Sequence, residues 1–446
     1  MTGVQTCALP IFRFESQNHI SDRADFAPRI GFAWGLGSSK STPKTVLRAG
    51  FGMFYDRFSQ DYVMRAYRNN GTNQRQYIIP NPPYCAVVTP TCPDITLGIV
   101  TSPTIYAIDP TLQSPYMMQT AVTLERQVTK SASATVTYLN SRGVHTFVSE
   151  NINAPDPITG IRPLQARYND GNVYQYESRG VFRQNKLIAN TNIRMGAKFN
   201  LFSFYSLNYA KSDTSGVSSF PSTPYNIAAD YGRASFAVRH RFMVGGNFNL
   251  RYRFSLSPFI IANSGSPFNF TVGQDLNGDS IYNDRPTFAT SSSTDVVSSP
   301  WGNFDRTPVA GHQLVPINYG TGHSLFTVNL RVSKVFGFGK EGGSGGAPQA
   351  GGGPGGDHHG PGGGGGPMRG MGGPGGPMGG GSSSAIRRYN LTFSASARNL
   401  FNRVNLANPV GNLNSPDFGQ SIALAGGPFG SGASNRRVDL QVQFAF

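Results

Sequence analysis

Apolar and polar side chains alternate along many stretches of the chain. In the closing stretch "RVDLQVQFAF" the apolar alternate positions are Val438, Leu440, Val442, Phe444 and Phe446. The same alternation recurs in the stretches 45–55, 236–250, 253–263, 325–335 and 389–398. Successive side chains of a strand point to opposite faces, so this period of two predicts about eleven strands, each with one apolar and one polar face. No helical period persists, so no helix is predicted.

The connections between the predicted strands alternate between short and long. The short connections fall near 38–44, 128–131, 196–198 and 250–253. The long connections run through 57–113, 146–172, 211–235, 263–323 and 404–435. A soluble sandwich has no reason to place every long loop at one end, whereas outer-membrane barrels have short periplasmic turns and long extracellular loops. The sequence therefore predicts an all-β fold, a partial transmembrane antiparallel β-barrel.

Composition agrees with a barrel and excludes a helical membrane protein. Only 38% of the 446 residues are hydrophobic, and no stretch approaches the roughly 18–20 consecutive apolar residues that a membrane-spanning helix needs. Barrel strands are short and alternate, so a barrel has a low mean hydropathy. The 31 Phe and 19 Tyr residues fit either an aromatic-rich β core or the two interfacial girdles of an outer-membrane barrel.

The formal net charge of +15 raises the question of nucleic-acid binding. The Lys and Arg residues are scattered singly, however, with no basic run and no zinc-finger or RNP-like pattern. We therefore expect no nucleic-acid partner. Solvated loops that face the anionic phosphates of lipopolysaccharide explain the charge equally well.

The chain divides into segments of different composition. The opening "MTGVQTCALPI" matches the translation of a common sequencing adaptor, so residues 1–11 are interpreted as an artefactual leader. Residues 12–336 are expected to hold barrel strands and extracellular loops. The Gly- and Pro-rich stretch 337–384 is too poor in apolar side chains to pack a core, and is predicted to be a disordered periplasmic insert. Residues 385–446 are expected to hold the last barrel strands.

Five sequence segments follow one another along the chain in this order: "FAPRIGFAWGLG", "KTVLRAGFGMFYDRF", "SFAVRHRFMVGG", "SGSPFNFTVGQDLNGDSIYNDRP" and "ARNLFNRVNLANPVG". With the phenylalanine-terminated last strand, they resemble the C-terminal barrel part of a TonB-dependent outer-membrane receptor of the Oar-like group. The resemblance covers nearly everything after Ile11. It implies a Gram-negative outer-membrane barrel of about 22 strands, filled by an N-terminal plug and energised through a TonB box by the TonB complex. The chain is expected to carry about half of those strands and to lack the plug and the TonB box.

The last strand also resembles a targeting element. Phe446, with Phe444, Val442 and Leu440, resembles the C-terminal signal that the outer-membrane barrel-assembly machinery reads. A free strand edge with alternating anchors suits recognition by strand addition. The simpler interpretation, that Phe446 is only the last lipid-facing residue, stays open.

One polar stretch, "DLNGDSIYND", has the oxygen spacing of calcium loops, in which alternate residues supply ligands. The candidate ligands are Asp275, Asn277, Asp279, Asn283 and Asp284. The stretch departs from an EF-hand, because Ser280 follows the third ligand and Pro286 takes the position of the bidentate glutamate. A turn capped by its own Asx side chains is the alternative.

The cysteines give a second candidate. With Cys7 assigned to the leader, two of the 3 cysteines remain, Cys85 and Cys92 in "YCAVVTPTCP". They are close enough for a small disulfide-closed loop, which would place the protein in an oxidising compartment. Two unpaired thiols are the alternative.

The function predicted is transport, not catalysis. The 7 histidines form no HExxH motif, and no serine lies in a GxSxG elbow, so no enzyme is expected. The resemblance implies uptake, or else secretion, of a large solute through the outer membrane. The alternatives are a passive porin-like or adhesion barrel without a plug, and a soluble all-β binding protein.

Overall fold

We analysed a computed structural model of the chain. It describes residues 25–37, 43–74, 104–168, 170–196, 198–308, 312–341, 387–425 and 434–446. The leader 1–11, both candidate disulfide cysteines and most of the Gly/Pro-rich stretch lie outside the described residues.

The described chain is built almost entirely from strands. In chain order they are β1 (Arg29–Leu36), β2 (Thr45–Tyr55), β3 (Ile105–Ile108), β4 (Tyr116–Thr129), β5 (Ala132–Asn151), β6 (Val173–Met195), β7 (Phe199–Ser212), β8 (Gly232–Arg233), β9 (His240–Asn249), β10 (Phe254–Asn263), β11 (Pro267–Phe268), β12 (Thr287–Phe288), β13 (Val296–Ser299), β14 (Gly302–Asp305), β15 (Gly320–Thr321), β16 (Leu325–Glu341), β17 (Arg387–Arg398) and β18 (Arg437–Ala445).

Eleven of these strands form one continuous antiparallel path, in the order β1-β2-β4-β5-β6-β7-β9-β10-β16-β17-β18. The strand number and the all-β fold predicted from the alternation are therefore confirmed. β3 adds to β6 in parallel, and β8 adds to the end of β7. The remaining short strands pair in two small sheets, β11-β15 and β12-β14-β13. Within the described residues, β1 pairs only with β2 and β18 only with β17, so the sheet is open there.

The register of the sheet gathers the apolar positions on one face, called the apolar face below. Residues directly opposite each other in an antiparallel pair share a face. One such row crosses nine strands from β1 to β16 as Trp34, Leu47, Leu124, Val136, Ala189, Tyr205, Phe242, Ala262 and Phe326. Many large side chains of this face are exposed, which soluble proteins avoid over so wide an area.

The opposite face, called the polar face, is linked by side-chain hydrogen bonds between strands. The hydroxyls of Thr123 and Thr137 lie 2.9 Å apart, and those of Ser255 and Ser333 lie 2.6 Å apart. Arg331 Nη2 donates to Ser394 Oγ at 3.0 Å. This face is polar along most of its length, as the alternation predicts.

The boundary predicted at residue 337 differs from the structure, because β16 continues to Glu341. The two-residue alternation persists there, with Phe336 and Phe338 exposed on the apolar face. Gly337 lies between them on the polar face, where an added Cβ would stand 2.5 Å from Arg253 Nη1. The glycines at the start of the low-complexity stretch therefore belong to a strand.

Two helices correct the expectation that the chain has none: α1 (Gln60–Arg68) and α2 (Gln165–Tyr168). α1 begins after Ser59, whose side chain accepts a hydrogen bond from the N–H of Asp61, and its only buried residue is Ala66. With nine residues, α1 is too short for a helical period to persist in the sequence. Among the described residues, neither helix has the length and apolar content needed to cross a membrane.

Candidate functional site

The long connections meet at one end of the sheet and fold into an ordered body, which we call the loop layer. It comprises residues 56–74, 104–115, 145–178, 212–239, 264–324 and 399–425, where these are described. Its first hydrophobic cluster consists of Ala66, Tyr106, Ile108, Leu112, Phe147, Tyr174 and Tyr176. Its second consists of Phe268, Phe270, Phe304, Val315 and Leu413, with Trp301 packed against it. These clusters give the loops a packed core of their own.

A fully buried ion pair joins two of these loops. Arg285 Nη2 lies 2.7 Å from Asp230 Oδ1, and the two side chains are 2% and 4% exposed. Arg285 also donates to the carbonyl oxygens of Val315 and Ala229, each at 2.8 Å. Ser222 donates to Asp230 from both its N–H and its hydroxyl, at 2.6 Å. Because every charged group is matched, the pair holds the loops in one arrangement.

Sequence reasoning did not assign a role to Arg285, although it lies in the phrase "SIYNDRP". The sequence shows only that this arginine directly follows an acidic turn in a long loop. Its partner Asp230 lies in a different connection, so only the folded chain identifies the pair.

The candidate calcium loop ends directly before Arg285 of this ion pair, and its side chains cap its own backbone. The carboxylate of Asp275 accepts hydrogen bonds from the N–H groups of Asp279, at 3.1 Å, and Ser280, at 2.9 Å. Asn277 Oδ1 accepts from the N–H of Asp279 at 2.9 Å, and Asp279 Oδ1 accepts from that of Ile281 at 2.7 Å. Ser280 has a φ of 67°, a left-handed conformation that favours glycine. The turn is thus tight and locally strained.

The other two candidate ligands tie the turn to its surroundings. Asp284 Oδ2 accepts from the N–H of Leu276 at 2.8 Å, and its Oδ1 accepts from Asn277 Nδ2 at 3.2 Å. Asn283 Nδ2 donates to the carbonyl oxygen of Phe220 at 2.9 Å. The turn is therefore a built part of the loop layer.

Burial changes the titration of two carboxyl groups in this turn. The pKa of Asp279 is raised to about 7, mainly by desolvation and also by the negative charges of Asp275 and Asp284. Desolvation also raises the pKa of Asp284 to about 6, with a contribution from Asp275. Hydrogen bonds from backbone N–H groups oppose both shifts without cancelling them. Three carboxyl groups in one turn accordingly disfavour full ionisation.

The structure brings the five candidate ligands together in one turn, and most of their oxygens have hydrogen-bond donors within the protein. Within the described ranges, no group of three or more His, Cys, Asp or Glu side chains is arranged to hold a metal ion. The self-capped Asx turn describes the geometry present, and calcium binding stays a prediction.

The candidate assembly signal lies on β18, at the edge of the sheet opposite β1. Leu440, Val442 and Phe444 stand directly opposite Ala395, Phe393 and Leu391 of β17, so they lie on the apolar face. Leu440 is 81% exposed and Phe446 is 94% exposed. The second edge of β18 has no partner among the described residues. The signal role itself stays a prediction.

The fold and its two faces define a class of protein, an outer-membrane β-barrel. Residues 13–343 match a family model described as an outer membrane beta barrel domain. The chain belongs to this family, and the protein is located in the outer membrane of a Gram-negative bacterium. The apolar face therefore meets lipid.

The chain is similar to solved structures of outer-membrane proteins. The outer membrane transporter YddB from Escherichia coli matches 93% of this chain and 40% of its own, at 10% identity and a TM-score of 0.50. The ferric enterobactin receptor PfeA from Pseudomonas aeruginosa, solved as a mutant, matches 94% of this chain and 40% of its own, at 10% identity and a TM-score of 0.45. The chain thus spans about 40% of the length of either protein. Among curated proteins, no match was found.

Proposed function

We propose that the chain forms part of the barrel of a TonB-dependent, Oar-like receptor that moves a large solute across the outer membrane. Three observations support this: the family of the chain, the likeness in fold to the transporter YddB, and the ordered layer over one end of the sheet. The matched fraction of YddB supports the further proposal that a longer protein supplies the plug and the TonB box. No catalytic step is part of the proposal.

The loop layer and the polar face are the proposed contact surfaces for the solute. With the loop layer outside the cell, a solute meets the loops first and the polar face afterwards. The Arg285–Asp230 pair joins two loops of this layer, which supports an ordered surface for that contact. In this orientation the stretch 337–384, which connects β16 to β17, would lie in the periplasm.

The experiment that tests the function compares three strains of the source bacterium: the parent, a strain that lacks this gene, and a strain that lacks TonB. Solutes retained inside and outside the cells are profiled by mass spectrometry. We expect the same large solutes to change in both mutants and in the same direction. A passive porin would change solutes only in the gene deletion, and an adhesion barrel would change surface attachment without changing solutes. Either result would contradict energised transport.

We also propose that Phe446, Phe444, Val442 and Leu440 form the signal for the barrel-assembly machinery. Deleting Phe446 should lower the amount of folded protein in the outer membrane, because the terminal anchor of the edge strand is lost. Phe446→Tyr, which keeps an aromatic anchor, is the control. The measurement is the heat-modifiable fraction on a gel, and an undiminished folded yield after the deletion would contradict the signal role.

A further inference from the structure

Four cationic side chains form a row across neighbouring strands at the loop end of the sheet. Arg142 of β5 lies directly opposite Arg183 of β6, Arg183 opposite Lys211 of β7, and Lys211 opposite Arg233 of β8. Directly opposed residues share a face, and Arg183 lies four residues before Leu187 in β6, so both are on the apolar face. This cation row therefore lies on the lipid-facing side of the sheet.

The row stands just beyond a girdle of tyrosine and asparagine side chains. Tyr138 Oη and Asn140 Nδ2 both donate to Asn185 Oδ1 at 2.8 Å, and Tyr209 lies directly opposite Asn185. Tyrosine rings of this kind mark the level where hydrocarbon meets head groups. Arg183 is two residues further along the strand, which is about 7 Å. The row is thus at the height of lipid head groups.

Nothing within the described chain neutralises the row. None of the ion pairs among the described residues includes Arg142, Arg183, Lys211 or Arg233. Like charges placed directly opposite each other destabilise a sheet. An anion from outside the protein would therefore stabilise their alignment across successive strands.

Arg179 lies beside the row and Arg233 belongs to it, and the two differ in how their charges are met. Arg179, on the same strand as Arg183, forms ion pairs with Glu150 and Glu177. Arg233 donates to the neutral oxygens Thr321 Oγ1 at 3.0 Å and Gly320 O at 2.8 Å, which fix its guanidinium without neutralising it. Arg142, Arg183 and Lys211 are exposed. The row is consequently held in place and open to an anionic ligand.

We propose that the cation row binds the phosphate groups of lipopolysaccharide in the outer leaflet. Four adjacent strands place the row over about 14 Å, since neighbouring strands are about 4.8 Å apart. That length accommodates more than one phosphate of a single head group, and arginine binds phosphate through paired hydrogen bonds. The inference rests on the outward orientation of the loop layer and is independent of the transported solute.

The test uses the full chain, purified from outer membranes in detergent, stripped of lipid and titrated with purified lipopolysaccharide by calorimetry. The variant R142Q/R183Q removes two charges of the row. The control R126Q/K334Q removes two charges from the same face near the short-turn end. We expect R142Q/R183Q to weaken binding at least about tenfold and the control to change it no more than about twofold. R142K/R183K, which keeps both charges, should retain binding.

Further titrations identify the ligand and distinguish a loss of binding from a failure of the variant to fold. Dephosphorylated lipopolysaccharide should bind the unmodified chain as weakly as R142Q/R183Q binds the intact lipid, and this arm needs no variant to fold. Phosphatidylglycerol vesicles and inorganic phosphate should not compete. The proposal would be overturned if R142Q/R183Q bound as well as the unmodified chain, or if the control lost as much binding as R142Q/R183Q. It would also be overturned if the dephosphorylated lipid bound undiminished, or if phosphatidylglycerol competed.

Discussion

The sheet and the loop layer bury their apolar residues in opposite ways. On the sheet, Trp34, Leu124 and Phe242 are exposed on the apolar face. In the loop layer, Phe270, Phe304 and Val315 are completely buried. The difference follows from the medium around each region. Lipid accepts apolar side chains directly, so the sheet needs no covering layer, whereas loops in water must build a core to stay ordered.

The two tryptophans of the chain divide between these regions. Trp34 lies on the apolar face of β1, and Trp301 packs against Phe268 and Phe270 in the loop layer. In a Trp34→Phe background, the fluorescence of Trp301 therefore reports on the loop layer alone. In a Trp301→Phe background, Trp34 reports on the sheet. The comparison between the regions can thus be tested one region at a time.

The largest effect is expected from Phe270→Ala. Phe270 is 0% exposed and touches Trp301, Phe304 and Phe418, so its removal leaves a cavity. We expect the free energy of unfolding of the loop layer to fall by about 3–5 kcal/mol, measured by urea titration of Trp301 fluorescence. Phe401→Ala, at a loop residue that is 66% exposed, is the control and should have little effect. Equal effects of the two substitutions would contradict a packed loop core.

A smaller effect is expected from Val244→Arg on the apolar face. Val244 lies near the middle of β9, opposite Ile260 and Ser203. A cation there meets hydrocarbon, so the stability of the sheet in lipid vesicles should fall by about 2–4 kcal/mol. The measurement is urea titration of Trp34 fluorescence. Asn192→Arg, on the polar face of β6, is the matched control and should be tolerated. If both substitutions were tolerated equally, Val244 would not face lipid.

The smallest effect is a dependence of loop-layer stability on pH. The folded pKa of Asp279, about 7, lies above its ordinary value of 3.8. Between these values the folded state holds a proton that the unfolded state has lost, so stability falls as the pH rises. We expect the loop layer to melt at a lower temperature at pH 8 than at pH 5, by Trp301 fluorescence.

Asp279→Asn should reduce this dependence, because the amide oxygen can still accept from Ile281 and carries no charge. Part of the dependence should remain, because the pKa of Asp284 is also raised, to about 6. Calcium, if it binds the turn, should raise the melting temperature of the unmodified chain at pH 8 and leave Asp279→Asn unchanged. An unmodified chain that does not respond to calcium would show the calcium prediction to be wrong.

The sheet could be predicted from the sequence because its signal is local. The alternation around Leu440 and Phe444 depends only on neighbouring positions, and it locates β18 to within a residue. The loop layer could not be predicted in this way. Val315 lies in a stretch without a period, and the alternation around Phe270 is only a few residues long. The contacts of both join residues that are far apart along the chain. The long loops were predicted correctly as connections, but their packing was not.

The candidate sites also differ in whether their signal in the sequence is local. The turn from Asp275 to Asp284 was visible as a spacing of oxygen-bearing side chains, and the structure does bring them together. The row that includes Arg142 and Arg183 was not visible, because the two arginines belong to different strands and meet only through the register. Scattered single cations in the sequence are therefore compatible with a concentrated charge on the surface.

The buried contact between Arg285 and Asp230 bears on the order of events during biogenesis. Between these two residues the chain runs through β9 and β10, a full passage inward and back. With the loop layer outside the cell, as proposed, the guanidinium and the carboxylate reach the exterior on separate crossings of the membrane. On that proposal, the Arg285–Asp230 pair forms only after β9 and β10 have crossed the bilayer, so the loop layer is completed late in folding.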